Sequence, residues 1–142
     1  MSVPELLILD ANILFSFFKS DSSRRYLVEE LLNRECKLIS PDFVFEELSQ
    51  NKDKIMKFSK INESEFIFLF LLLKKEIETV SESEYSEFLI KSKEISPHTK
   101  DNPYFALALS VNFPIWSDEE EFKQQSKIEI FDTAKLAKLF GL

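Results

Sequence analysis

The chain has 142 residues, with one cysteine, one histidine and one glycine, and its 25 acidic and 18 basic residues give a net charge of −7. This composition excludes an intrachain disulfide framework, a zinc site built from cysteine and histidine, and the glycine-rich phosphate loops of nucleotide-binding folds. We predict one domain over residues 1–142 in the reducing cytoplasm, without a membrane span, because the longest apolar run, 66–73, is far shorter than the roughly 20 residues that a bilayer requires.

Short apolar runs alternate with helical patterns in the first half of the chain. Residues 6–9 are uniformly apolar and stop at Asp10, which is typical of a strand buried on both faces of a parallel sheet. Asn12 is expected to cap the next helix, and Pro41 to occupy the first position of a later one. In chain order, the predicted elements are a strand at 6–9, a helix from 12 to about 19, a helix over 24–35, a strand at 37–40 and a helix from 40–41 to about 60.

The second half continues this alternation. Asn62 with Glu65, and Ser81 with Glu84, have the spacing of a capping box, and Gly141 has the position of a helix-terminating glycine. In chain order, the predicted elements are helices at 62–79 and 81–93, a polar loop at 98–102, a helix opened by 101–103, a strand at 114–116, a helical turn at 118–125, a strand at 128–131 and a helix from 132 to 141. Strands separated by helices predict an α/β fold with a parallel sheet covered on both faces.

Acidic residues follow the predicted strands, at the edge where parallel sheets bind ligands. Asp10 ends the first strand, residues 46–47 are glutamates after the second, residues 118–119 follow the third, and Asp101 opens a helix. Converging carboxylates repel one another unless a cation lies between them, and hard divalent cations such as Mg²⁺ or Mn²⁺ prefer oxygen ligands. The pattern predicts a carboxylate metal site. Taken singly, each acid also fits an ordinary helix cap, a solvated helix residue or an acidic first turn.

Four of these segments, in their local contexts, resemble the motifs of the PIN domain family, and are most similar to archaeal PIN proteins related to VapC-type toxin ribonucleases. The resemblance covers nearly the whole chain. The last motif departs from the family pattern, because Glu119 stands where the family has aspartate and Asp118 lies one position early. The matching segments are Leu9-Asp10-Ala11-Asn12, Glu47-Leu48 after Ser40-Pro41, Asp101-Asn102-Pro103 before an alanine-containing helix, and Ser117-Asp118-Glu119 after the third strand.

The resemblance implies a three-layer α/β/α sandwich with a short central parallel sheet, and a metal-dependent endo- or exoribonuclease. Such an enzyme would use Mg²⁺ or Mn²⁺ to activate a water molecule, which attacks the phosphodiester of single-stranded or structured RNA in line. A toxin-like role with an antitoxin or another protein partner also belongs to this resemblance. The implied site residues are Asp10, Glu47, Asp101 and Glu119 as catalytic acids and metal ligands, Asp118 as the alternative fourth ligand, and Asn12 and Ser117 as supporting residues that orient water or phosphate.

Several alternatives stay open at the level of sequence. The glutamate at position 119 and the scarcity of arginine equally fit a PIN fold with a degraded site that binds RNA or a partner protein. The 66–73 run is apolar around its whole circumference, which fits either a helix enclosed in the core or one half of a homodimer interface. Lys19, Arg24 and Arg25 form the densest basic group near the acids, and they either contact RNA phosphates or are solvated.

Overall fold

The computed structural model describes residues 2–141, and within them it contains a wholly parallel sheet of five strands. The strands are β1 Leu6–Leu9, β2 Lys37–Pro41, β3 Glu78–Val80, β4 Ile115–Trp116 and β5 Ile130–Phe131. Their order across the sheet is β3-β2-β1-β4-β5, so β1 lies in the centre and every neighbouring pair is parallel. The predicted α/β fold is confirmed.

Helices connect the strands, since parallel neighbours need crossover connections. The helices are α1 Ala11–Phe17, α2 Ser23–Asn33, α3 Val44–Gln50, α4 Lys52–Ser59, α5 Glu63–Glu76, α6 Glu82–Tyr85, α7 Leu89–Ser92, α8 Asn102–Val111 and α9 Thr133–Leu139. Short 3-10 segments occupy Ser86–Phe88, Thr99–Asp101 and Glu120–Gln124. Helix α8 packs on β1, β2 and β4, and α2 packs on β2.

The centre of the sheet is fully buried. Leu7, Ile8 and Leu9 of β1 have no exposed surface, as the uniformly apolar run predicted, and neither has Trp116 of β4. Because β1 and β4 are neighbours that run in the same direction, the chain leaves both strands at the same edge. That edge brings Asp10, directly after β1, beside Ser117, directly after β4.

Three predictions in the first half of the chain are wrong. Helix α1 begins at Ala11 with Asp10, not Asn12, in the N-cap position. Ser40 and Pro41 do not open a helix but complete β2, because the Ser40 hydroxyl donates to the Leu9 carbonyl at 2.7 Å and Pro41 pairs with β3. The expected single helix to about residue 60 is therefore two, α3 and α4, which meet at Asn51.

Three predictions in the second half also need correction. The helix expected to reach residue 79 ends at Glu76, because the buried Ile77 turns the chain into β3, a strand that the sequence did not indicate. The expected helix at 81–93 is broken into α6, a 3-10 turn and α7, and Ser81 contacts the Ser83 hydroxyl instead of capping. The polar loop at 98–102 is largely a 3-10 turn that leads into α8. The Asn62–Glu65 capping box is confirmed, with hydrogen bonds of 2.9 and 3.1 Å.

Helix α5 is only partly buried, although its sequence is apolar all round. Phe66 and Leu73 are buried, whereas four large apolar side chains of the same segment are 38–62% exposed. We call these four the α5 stripe: Ile67, Phe68, Leu71 and Leu72. Complete enclosure of the 66–73 segment in the core is therefore wrong. Along residues 2–141, no helix combines the length and the apolar character needed to cross a membrane.

Candidate functional site

A cleft of about 330 Å³ opens at the edge where β1 and β4 end. Five acids line it, contributed by the segments that follow β1 and β4, by helix α3 and by the 3-10 turn that leads into helix α8. These acids are Asp10, Glu47, Asp101, Glu119 and Glu121, and the remaining lining residues are Ala11, Asn12, His98, Lys100 and Tyr104. Residues that are separated by up to about 110 positions in the chain thus meet in one small volume.

Asp10 is the most buried of these acids, with 6% of its surface exposed. Its side chain makes no capping bond to α1 and instead accepts a hydrogen bond from the Ser117 hydroxyl at 2.8 Å. Burial, together with the nearby charges of Asp101 and Glu119, raises the pKa of Asp10 to about 6 against the opposing effect of the Ser117 bond. The cleft therefore holds a carboxylate whose ionised form is poorly stabilised by the protein alone.

Glu47 and Asp101 lie in the same electrostatic environment. Burial raises the pKa of Glu47, and the charge of Asp101 raises it further, while Lys100 opposes the shift. Burial also raises the pKa of Asp101, with Lys100 and His98 opposing and Glu119 adding to the shift. Burial is the main reason why the pKa shifts of these acids share one direction, and repulsion among acids that the fold brings together adds to it.

Glu119 is oriented by the two polar residues that follow the strands. The Asn12 amide donates to Glu119 Oε1 at 2.6 Å, and the Glu119 backbone N–H donates to Ser117 Oγ at 3.1 Å. Since Ser117 also donates to Asp10, these four residues form one connected hydrogen-bond network at the edge of the sheet. Asn12 and Ser117 therefore position acids of the cleft.

Asp118 is placed differently, because it does not line the cleft. Arg24 Nε and Nη2 each lie 2.7 Å from its Oδ2, and Thr133 donates from its backbone N–H at 2.7 Å and its hydroxyl at 2.5 Å. Burial acts to raise the pKa of Asp118, but the hydrogen bonds from Thr133 and Arg24 outweigh it, and the pKa is lowered. Asp118 thus joins the end of β4 to α2 and α9.

Tyr104 is a residue of the cleft that the sequence analysis did not single out. It is 3% exposed, and its hydroxyl has no hydrogen-bond partner within residues 2–141. Burial raises its pKa, and the charges of Glu47 and Asp10 add to the shift. A signal was available, because Tyr104 follows Asp101 by three positions, and residues three apart share one helix face.

The donor set of the cleft is that of a hard-cation site, yet its side chains are not gathered around one point. Among residues 2–141, Asp10, Glu47, Asp101 and Glu119 form no ion pair with lysine or arginine. Within the same residues, no three His, Cys, Asp or Glu side chains lie close enough together to hold a metal ion as they stand. Metal binding would require these carboxylates to turn toward one another.

Comparison with known proteins adds one finding at the level of the family. A sequence model of the PIN domain matches residues 8–134, from within β1 to within α9. The matched range includes every acid of the cleft. No curated protein matches the chain.

Proposed function

The chain belongs to the PIN domain family, and on that premise we propose that it is a cytoplasmic ribonuclease that hydrolyses phosphodiester bonds with divalent metal ions, Mg²⁺ or Mn²⁺. The match confirms the family that the four sequence motifs indicated, and membership supports a nuclease-type role. Nucleic acid is accordingly the proposed partner, with RNA as the substrate.

One observation carries this proposal: four carboxylates from four distant segments line one cleft without a lysine or arginine ion pair among the described residues. Structural acids are usually paired or solvated, whereas Asp10 is buried and its pKa is raised. Asp10, Glu47, Asp101 and Glu119 are the residues that would hold the cations. We propose Glu119 as the fourth acid in preference to Asp118, whose oxygens already accept from Arg24 and Thr133.

The residues of the chain have distinct parts in this reaction. When bound, a divalent cation supplies Lewis acidity, which makes water a better nucleophile and offsets the charge of the phosphodiester. Ser117 and Asn12 keep the Asp10 and Glu119 carboxylates oriented. Lys100, at the wall of the cleft, reduces repulsion between the acids and the incoming phosphate.

Substitutions of two acids of the cleft, with a neighbouring glutamate outside the cleft as control, test the proposal. We expect purified protein to cleave single-stranded RNA with Mn²⁺ or Mg²⁺, and Asp10→Asn and Glu47→Gln to abolish cleavage. Glu46→Gln is the matched control, because Glu46 occupies the same helical turn but does not line the cleft. Cleavage that survives Asp10→Asn, or that persists in excess chelator, would contradict the proposal.

A second candidate function is a PIN fold that binds RNA or a partner protein without cleaving. The observation that favours it is that no three potential ligands within residues 2–141 are close enough to hold a metal as they stand. Calorimetric titration with Mn²⁺ separates the two candidates. Heat of binding that disappears in Asp10→Asn supports the ribonuclease, whereas no binding at millimolar Mn²⁺ supports the binding module.

A toxin-like role is a finer form of the first proposal and depends on the family resemblance. It would involve an antitoxin or another protein partner that blocks the cleft until it is removed. Induced expression in a bacterial host tests it: the unaltered chain is expected to arrest growth, and Asp10→Asn to permit it. Normal growth with both, at equal expression of folded protein, would rule out the toxin role in that host.

We also propose that the α5 stripe, within the 66–73 segment, pairs with the same stripe of a second copy in a homodimer. Helix α5 has Glu63 and Glu65 in its first turn and Lys74 and Lys75 in its last turn, before the final residue Glu76. An antiparallel arrangement about a two-fold axis would place the acids of each copy opposite the lysines of the other, around an apolar centre.

Light scattering on the purified protein tests this arrangement. We expect a dimer that becomes a monomer with Leu71→Glu, which places a charge in the centre of the stripe. Ile90→Glu is the matched control, because Ile90 is 78% exposed on α7 and lies outside the stripe. A monomer at high concentration of the unaltered chain would contradict the proposal.

A further inference from the structure

A second depression borders the acidic cleft. Asn12 and Glu119 line both, so the two lie side by side at this edge of the sheet. The second has a volume of about 590 Å³, which is within the range of sites that enclose a small ligand. We call it the α1–α4 groove; its lining residues are Asn12, Phe15, Ser16, Arg24, Asn51, Lys54, Ile55, Phe58, Asp118 and Glu119.

The groove presents a largely exposed aromatic ring. Phe58, near the end of α4, is 62% exposed, whereas Phe15, the other aromatic residue of the groove, is only partly exposed. Its ring has Lys19 Nζ at 5.3 Å from the centroid. An exposed aromatic face beside a cation is the arrangement on which unpaired bases stack.

Two lysines, Lys19 and Lys54, lie close to the Phe58 ring. Lys54 precedes Phe58 by one helical turn, so both point to the same face of α4. Lys54 is exposed, and within residues 2–141 it forms no ion pair. Arg24, by contrast, has its guanidinium held by Asp118 and Ser16. In a protein with a net charge of −7, Lys54 is thus a free local cation at the groove.

We propose that the α1–α4 groove binds a single strand of nucleic acid next to the bond that is cleaved, with a base stacked on Phe58 and a phosphate contacting Lys54. The inference rests on the proposed function, which places the cleaved phosphate in the acidic cleft. A base-paired duplex keeps its base faces stacked inside the helix, so it cannot use Phe58. The groove therefore selects single-stranded over double-stranded substrates.

Binding measured by fluorescence anisotropy tests the inference without cleavage. The protein is the full chain with Asp10→Asn, and the probes are fluorescein-labelled oligouridine, oligothymidine and an RNA duplex. Phe58→Ala is expected to weaken oligouridine binding by roughly 5- to 150-fold, the equivalent of about 1–3 kcal/mol for one stacked base. Phe58→Trp should restore it. Tyr26→Ala is the matched control, since Tyr26 is an aromatic residue that is 44% exposed and lies outside both the groove and the α5 stripe.

The salt dependence of binding tests the phosphate contact separately. Lys54→Ala is expected to reduce the slope of log affinity against log salt by roughly 0.7, the value for one phosphate of a single strand. Lys57→Ala, on the same helix but outside the groove, should leave the slope unchanged. Equal loss in Phe58→Ala and Tyr26→Ala, no binding of either single strand, or equal affinity for the duplex would overturn the inference. The oligothymidine arm distinguishes RNA from DNA as the strand that the groove accepts.

The outcomes separate this inference from the proposed function. If the unaltered protein cleaves RNA with metal, and Phe58→Ala does not weaken oligouridine binding, the groove is rejected and the ribonuclease proposal stands. Binding that depends on Phe58 in a protein that does not cleave RNA would reject the ribonuclease alone. Binding of a protein partner in place of RNA, with Phe58 in the interface, would count against a nucleic-acid groove.

Discussion

The Asp10 carboxylate is held in a position that costs stability when the protein contains no metal. It is 6% exposed, it lies near Asp101 and Glu119, and it accepts a hydrogen bond from the neutral hydroxyl of Ser117. Sites of function commonly keep such groups because the reaction needs their charge. Replacement of this carboxylate by an amide of the same shape therefore separates the effect of its charge on activity from its effect on stability.

We expect Asp10→Asn to stabilise the metal-free protein at pH 7. The pKa of Asp10 is raised to about 6 in the folded state, so ionisation at pH 7 costs about 2–3 kcal/mol relative to the unfolded chain. Asparagine keeps an oxygen that accepts from Ser117 and carries no charge. Urea unfolding in chelator measures the gain, and a loss of stability in this variant would contradict the burial and repulsion described for Asp10.

Tyr104→Phe provides a second test of the cleft at the level of a single atom. Removal of a buried hydroxyl that donates a hydrogen bond usually costs about 1 kcal/mol. Since the Tyr104 hydroxyl has no partner within residues 2–141, we expect the free energy of unfolding to stay the same or to rise by up to about 1 kcal/mol. A clear decrease, measured by urea unfolding, would show that the hydroxyl has a partner in solution.

The two ends of helix α5 are determined by interactions of different range, local at its start and tertiary at its end. Its start follows from a capping box that is visible in the sequence, with the Glu65 backbone N–H donating to Asn62 at 2.9 Å. Its end is decided by Ile77, which is 3% exposed and turns the chain toward β2. The start is a property of four residues, whereas the end depends on a strand that lies far away in the sequence.

The cap of α5 can be tested directly. We expect Asn62→Ala to lower the free energy of unfolding by about 1 kcal/mol, because it leaves the first turn without its acceptor. Ser64→Ala, in the same turn but without a capping bond, is the control. Denaturant titration of both variants measures the difference, and equal stabilities would mean that packing, not the cap, determines where α5 begins.

At the scale of the molecule, two groups of carboxylates respond to pH in opposite ways. The pKa values of Asp10, Glu47 and Asp101 are raised, so the folded metal-free protein takes up protons, and gains stability, as the pH falls from about 7 toward 4. The pKa values of Asp118 and Asp132 are lowered, so their contribution is present above about pH 4 and is lost below it.

We therefore expect the metal-free protein to be most stable between about pH 4 and 6. Urea titrations in chelator over a series of pH values measure this profile. Asp10→Asn should reduce the loss in the free energy of unfolding above pH 6. Mn²⁺ should oppose the loss above pH 6, because binding to the folded state alone stabilises it by about 2.7 kcal/mol at a concentration of 100 times Kd. A metal-free profile that rises steadily from pH 4 to 8 would contradict the clustering of acids.

Features that depend on neighbouring residues were predicted correctly from the sequence, whereas features that depend on distant contacts were not. The strand at Leu6–Leu9 and the α5 capping box depend on neighbouring residues, and the structure has both as predicted. Ser40 and Pro41 resemble a helix start, but a hydrogen bond to Leu9, 31 positions away, keeps them in β2. The three-residue strand β3 carries no apolar pattern and forms only because β2 offers an edge.

By itself, the sequence determined the alternation of strands and helices, apart from β3 and two broken helices, and also the parallel sheet and the family, because local periodicity and short motifs carry that information. Only the tertiary structure decided which carboxylates share a cleft. Asp118 and Glu119 are adjacent in the chain, yet one contacts Arg24 and Thr133 while the other lies beside Asn12 in the cleft. Neighbouring side chains after a strand point in different directions, and their partners come from distant segments that only the folded chain brings within reach.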